Sequence, residues 1–187
     1  MICGVDFGAR LAGTTAICTD RGAILQLVRV PKNHDADEYL LAFCQKYLPS
    51  AVYLDAPLSL PDAYFGRGSD FFFRQCDRML DAMSPMFLGG LTARAIQLRH
   101  RLAPTPVYEV YPRAAARCLA DRGIDGYRTT SPSAYARALA DVLPLPIASE
   151  VSSWHEVDAL LAWWSGWRHT QGEAQCFGDP SEGIVWV

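Results

Sequence analysis

Three carboxylates sit where chemistry could be done. Asp6 lies near the end of an apolar stretch, Ile2-Cys3-Gly4-Val5-Asp6-Phe7-Gly8. Asp55 closes a second one, Ala51-Val52-Tyr53-Leu54-Asp55, and Asp158 follows His155 by three residues near the chain's last long helical stretch. A carboxylate buried without a partner costs roughly several kcal/mol, so each needs a cation, a cluster of donors or water in a cleft. If the second stretch runs parallel beside the first, Asp6 and Asp55 end in one crevice, the usual ligand position of an open α/β sheet. Clustered carboxylates repel one another, and oxygen donors of this kind suit Mg²⁺ or Mn²⁺. Two such ions roughly 4 Å apart can activate a water and stabilise the leaving oxygen of a phosphodiester. Asp6, Asp55 and Asp158 are therefore the expected metal ligands and catalytic acids.

Other residues could assist. His155 and Asp158 share a helix face, and a histidine beside a metal site can move protons or bind phosphate. Glu109, in Val107-Tyr108-Glu109-Val110-Tyr111, shares a strand face with Val107 and Tyr111. It is either a further metal ligand or the partner of Arg113 or of an arginine from the preceding helical segment. Arg74 and Arg78 are four apart. On one helix they would face the same way, to hold a phosphate backbone or to bridge to Asp81 and Glu109. Arg113 is the third expected phosphate contact. Phe71-Phe72-Phe73 could stack on bases, but three consecutive helical residues cannot share one surface, so core packing is the expected use.

The elements that must position these groups are legible from pattern. Residues 2–8, 14–19 and 23–30 read as strands joined by Arg10-Leu11-Ala12-Gly13 and by the hairpin signal Asp20-Arg21-Gly22, and hence as an antiparallel meander. Asp35, Asp37 and Glu38 open a helix whose apolar stripe is Leu40, Leu41, Phe43, Cys44, Tyr47 and Leu48. Strand 51–55 then reads as a crossover to a parallel neighbour. From Pro57 to about residue 104 the chain reads as a helical insertion over the sheet edge, with Ser69 capping a helix from Asp70 to about Met83 and a second helix from Leu91 to Leu102. A fifth strand spans 106–111, and Pro112 suits the first turn of the helix that follows, to about Asp121. Helices over 133–142 and 154 to about 169 follow, the last with a capping box if Ser153 is its cap and Glu156 its third residue. Gly178-Asp179-Pro180 is a turn, and Gly183 to Val187 can add a short strand. The expected fold is an α/β domain over 1–187, with a mixed five-stranded sheet, strands one to three antiparallel, strands four and five parallel to strand one, and flanking helices.

Composition narrows the function classes. The chain has 187 residues, half of them hydrophobic, which suits one domain with a sizeable core. A net charge of −3 argues against a strongly basic nucleic-acid coat. Of 17 basic residues only Lys32 and Lys46 are lysines. Arginine suits forked phosphate contacts, although a GC-rich genome gives the same bias. Six cysteines carry no CxxC pair and read as reduced thiols of a cytoplasmic protein. Asp6 and Arg10 interrupt the first apolar stretch, so no signal peptide is expected, and no run is long enough to span a bilayer.

The first-strand acid, meander, crossover, fourth-strand acid and late-helix acid together resemble the ribonuclease H-like fold. His155-Glu156-Val157-Asp158-Ala159-Leu160 is similar to the last-helix motif of RuvC-type Holliday-junction resolvases, in which an acid or histidine stands three before a metal-binding Asp. More closely, the chain resembles the predicted RNase H-like nucleases of domain of unknown function 429. Gly4-Val5-Asp6, Asp55-Ala56-Pro57-Leu58, Arg74 with Cys76-Asp77-Arg78, Glu109-Val110-Tyr111-Pro112-Arg113, His155 to Leu160, and Gly178-Asp179-Pro180 with Glu182-Gly183 carry that resemblance in order. It implies a metal-dependent nuclease with nucleic acid as partner. The first helix lacks the extra acid of RNase H proper, so Glu109 replaces it or the site holds one metal. Two other readings stand beside it. Gly4-Val5-Asp6-Phe7-Gly8 with Gly13-Thr14-Thr15 loosely resembles the first phosphate motif of the ATP-binding actin, Hsp70 and sugar-kinase group. An RNase H-like binding protein without catalysis is the third.

Overall fold

The computed structural model describes residues 1–187. Strands β1 (Cys3–Asp6), β2 (Ala16–Thr19) and β3 (Gln26–Arg29) form the antiparallel meander. Helix α1 (Ala36–Tyr47) starts where the Asp35 carboxylate accepts from the amides of Asp37 and Glu38, satisfying donors that a helix N-terminus leaves open. It crosses to β4 (Val52–Asp55), parallel to β1, and β5 (Val107–Val110) adds in parallel to β4. This β3-β2-β1-β4-β5 order and polarity is the ribonuclease H-like arrangement expected from the sequence.

The sheet has seven strands rather than five. β6 (Cys176–Asp179) and β7 (Gly183–Trp186) form a hairpin, and β7 pairs in parallel with β5. Without it β5 would be a bare edge with unpaired backbone groups. The turn of the hairpin is pinned by Glu182, whose two carboxylate oxygens accept from the amides of Asp62 and Gln75 at 2.9 and 2.6 Å.

Each face of the sheet has its own core. Helix α7 (Trp154–Thr170) covers one face together with α5 (Pro112–Ala120) and α6 (Pro132–Leu139). The expected capping box forms: Ser153 accepts from the Glu156 amide, and the Glu156 side chain reaches back to the amide of Ser153. From Val157 to Gly166 every residue of α7 is buried, as expected of a helix apolar all round. It lies directly on the sheet because two glycines let it. A Cβ at Gly4 would stand 2.1 Å from the Trp163 nitrogen, and one at Gly166 would stand 2.3 Å from the Tyr53 ring.

The opposite face buries Cys3, Val5, Phe7, Val52, Leu54 and Val107 under α1 and α4 (Gly90–Arg101). The segment 57–104 is thus not confined to the sheet edge, since α4 closes this second core. Its first helix, α2, is shorter than expected and spans only Gln75–Leu80. Asp70 does not open a helix; it accepts from the amides of Phe72 and Phe73 and closes a turn. Asp81 in the left-handed region, φ 52°, ends α2, and Ser84 caps a single turn, α3 (Pro85–Leu88). The turn leaves Phe71 and Phe72 about half exposed instead of in the core. No two cysteines are bonded, and no helix is long and apolar enough to cross a membrane.

Candidate active site

Parallel pairing brings two acids side by side: Asp6 of β1 and Asp55 of β4 are register partners at the C-terminal ends of adjacent strands. Side chains alternate along a strand. Because Val5 and Leu54 enter the core under α1 and α4, Asp6 and Asp55 project toward α7. That helix supplies His155 and Asp158 from its first two turns. His155 Nδ1 lies 2.6 Å from Asp6 Oδ2. Asp55 and Asp158 line one cleft of about 470 Å³ with Tyr111, Arg113, Tyr127 and Arg128. A second cavity of about 280 Å³ reaches Asp6 and Asp55 from the side of Met83 and Leu91.

The electrostatics follow from burying like charges together. Burial raises the carboxyl of Asp55 well above its ordinary value, and the charges of Asp6, Asp158 and Glu109 push the same way. No hydrogen bond acts on that carboxyl to oppose them. Burial also raises Asp6, against the pull of His155, while the Asp6 carboxylate raises the imidazole of His155. Asp158 is raised to about 6, first by burial and then by Asp6. Its Oδ1 accepts from the Tyr127 hydroxyl at 2.8 Å, and its Oδ2 pairs with the Arg128 guanidinium at 2.5 Å.

These shifts set a pH dependence of stability. Asp158 titrates at about 6 instead of 3.8, so between those values the folded chain holds a proton that the unfolded chain has released. Stability therefore falls as pH rises toward and through 6. His155 has the same sign: the stabilisation of its imidazolium by the ionised Asp6 is present below the ordinary histidine value and is lost as pH rises through its elevated folded value. Asp6 and Asp55, both raised, add to the trend. Asp70, lowered to about 2 by the amides of Phe73 and Phe72 and by Arg78, is ionised throughout and contributes no slope above pH 5. Between pH 5 and pH 8 the metal-free protein is expected to lose about 1 to 2 kcal/mol from Asp158 alone. Differential scanning calorimetry reads this as a fall of roughly 3–6 °C, and a melting temperature that rises over that window contradicts it.

Glu109 borders the second cavity with Asp6 and Asp55 but is held by other partners. It is the register partner of Leu54, one residue before Asp55, and so faces the opposite core. Its oxygens accept from the Leu58 amide and from both terminal nitrogens of Arg74, at 2.6–2.8 Å. Of the two uses open to Glu109, the structure shows the pairing with an arginine of the preceding helical segment, and the metal-ligand role is not seen. Arg74 is corrected by that pairing. It stands at the N-cap of α2, 1% exposed, and holds Asp77, Glu109 and Ser59, so no donor is left at the surface for a phosphate. Arg78 is exposed and pairs with Asp70 instead of with Asp81 or Glu109. Arg113 does line the carboxylate cleft. Arg128 and Tyr127 escaped sequence reasoning, since they lie in a loop without periodicity. The only signal was a basic and an aromatic residue just ahead of the capped helix Pro132–Leu139.

The donor chemistry fits a hard divalent cation: adjacent carboxylates whose charges oppose one another, one of them without a protein donor. What is not assembled is the third ligand. No three His, Cys, Asp or Glu side chains converge on one point; the oxygens of Asp158 are bonded to Tyr127 and Arg128. The glycine-threonine loop offers less to a nucleotide phosphate. Its amides at Gly8 and Ala9 already donate to the hydroxyls of Thr15 and Thr14 at 3.1 Å.

No family model matches the chain, and no curated protein matches it. Among solved structures it is similar to the Thermus thermophilus RuvC structure at 17% identity and a TM-score of 0.48, over 92% of this chain and 96% of that one. It is also similar to T. thermophilus RuvC in complex with Holliday junction substrate at 14% identity and a TM-score of 0.47, over 91% and 95%. Similarity at this level assigns neither a substrate nor a residue role to this chain.

Proposed function

We propose that the chain is a nuclease that hydrolyses phosphodiester bonds of nucleic acid with Mg²⁺ or Mn²⁺ as cofactor, in line with its motif resemblance to domain of unknown function 429. The observation that carries this reading is the in-register pair Asp6 and Asp55, with His155 of α7 bonded to Asp6 and Asp158 of α7 sharing an arginine-rimmed cleft with Asp55. Asp6 and Asp55 would hold the cation, with Asp158 as third ligand. A bound divalent cation supplies charge for the phosphoryl oxygens and acidifies a water.

The chain's own residues do the rest. His155 is fixed through Nδ1 by Asp6, which leaves Nε2 to take a proton from the attacking water or to return one to the leaving oxygen. Arg113 at the rim offers a fork to the phosphate. Tyr127 keeps Asp158 aimed into the cleft. The free cysteines suit a reducing, cytoplasmic setting.

The test is a cleavage panel with Mg²⁺ and with Mn²⁺ on single-stranded, duplex, hybrid and branched nucleic acids, with Asp6→Asn alongside. Metal-dependent cleavage that the substitution abolishes is the expected result. Cleavage that survives Asp6→Asn, or no cleavage of any substrate with either metal, overturns the proposal.

A further inference from the structure

The cleft already contains a cation of its own. The Arg128 guanidinium lies 2.5 Å from Asp158 Oδ2, with its side chain half exposed while that of Asp158 is 5% exposed. Its charge is also felt by Asp6 and Asp55. The two oxygens of Asp158 are held unequally. Oδ1 takes the hydroxyl of Tyr127, a half-buried neutral donor, and Oδ2 takes the exposed arginine.

The loop is built so that this contact can be exchanged. Arg128 has φ 61°, left-handed for a residue with a Cβ, between Gly126 at φ 103° and the helix start at Pro132. Its guanidinium lies near the rings of Tyr127 and Trp154, 5.5 and 5.4 Å from their centroids. Those rings can keep company with it as it moves along them.

We propose that Arg128 is a stand-in for the missing third-ligand contact: it occupies Asp158 Oδ2 in the metal-free protein, and a divalent cation and Arg128 exclude each other there. Loading frees the guanidinium, which then meets the substrate phosphate at the cleft mouth beside Arg113. Tyr127 keeps its bond to Oδ1 through the exchange. The same arginine that neutralises the empty cleft thus becomes a substrate contact only when the cation is present. This inference rests on the nuclease reading for its cation.

The experiment is Mn²⁺ binding by isothermal titration calorimetry to the full chain, as wild type, Arg128→Gln and Arg128→Lys. Arg128→Gln removes the competitor and is expected to bind Mn²⁺ about tenfold tighter, with the wild type binding measurably and Arg128→Lys close to the wild type. Where a nucleic acid is cleaved, Arg128→Gln is further expected to raise KM despite the tighter metal. Unchanged or weaker Mn²⁺ binding by Arg128→Gln beside a binding wild type overturns the exchange and leaves the nuclease reading standing. Absence of Mn²⁺ binding in all three proteins overturns both. A wild-type measurement covers the case of a variant that does not fold. Mg²⁺ should change the tryptophan emission as Arg128 leaves Trp154, and Trp154→Phe should remove that change. A wild-type emission indifferent to saturating Mg²⁺, or a change that persists in Trp154→Phe, overturns the exchange.

Discussion

Asp55→Asn is expected to abolish cleavage and, in the same protein, to raise the melting temperature without metal. The two effects have one cause. The Asp55 carboxylate lies among the charges of Asp6, Asp158 and Glu109 with no hydrogen bond from the protein. A cation would relieve that repulsion, so in the metal-free protein the carboxylate is a cost. An amide of the same size removes the charge and the cost, and it removes an oxygen ligand of full negative charge. Loss of activity should be on the order of a thousandfold or more, as for other groups that stabilise transition-state charge. The melting temperature at pH 8 should rise by about 3 °C or more, the shift that roughly 1 kcal/mol produces in a chain this long. Loss of activity together with a lower melting temperature would mean that Asp55 has a structural partner, and it would remove it from the proposed ligand set.

Arg74→Met is expected to have the largest effect on stability and to act through the fold rather than through substrate binding. Arg74 is 1% exposed and forms ion pairs with Asp77 at 2.7 Å and Glu109 at 2.6 Å, residues themselves 2% and 7% exposed. It ties the start of α2 to β5 and, through Ser59, to the loop after β4. Removing the one cation of a buried group leaves two carboxylates uncompensated, which costs about 3–5 kcal/mol. That corresponds to a fall of roughly 6–20 °C, measured by thermal or urea unfolding. Adding Glu109→Gln should recover ~1 kcal/mol or more, because it removes one of the stranded charges. A stable Arg74→Met protein with a raised KM would instead return Arg74 to the phosphate contacts from which its burial excludes it.

Strand order was legible because it rests on local signals. Apolar runs bounded by Gly, Pro and Asp gave β1 to β5, the crossover helix made β4 parallel to β1, and the adjacent C-terminal ends of those strands put Asp6 and Asp55 in one crevice. Ser153 with Glu156 marked the start of α7, and with it the height at which His155 and Asp158 meet the strand ends. The hairpin of β6 and β7 was harder to place. Each strand has four residues, and its pairing with β5 depends on a partner some seventy residues earlier.

Arg74 shows where local reading fails. Four-residue spacing to Arg78 says nothing of burial: Arg74, at the N-cap, is buried against Asp77 and Glu109, while Arg78 is exposed and pairs with Asp70. Which of its two open uses Glu109 takes could not be decided for a related reason. A strand residue's face is known only relative to its neighbour, and the Leu54–Glu109 register, set by the whole parallel ladder, turns it from Asp55 toward Arg74. That acids close the ends of two apolar strands and head one buried helix follows from the order of residues alone, since chain periodicity and caps are local properties. Only the tertiary structure decided which charges meet: Asp6 with His155, Asp158 with Arg128, Glu109 with Arg74. Pairings between residues 30 or more positions apart depend on strand register and loop course, and no short stretch of sequence contains either.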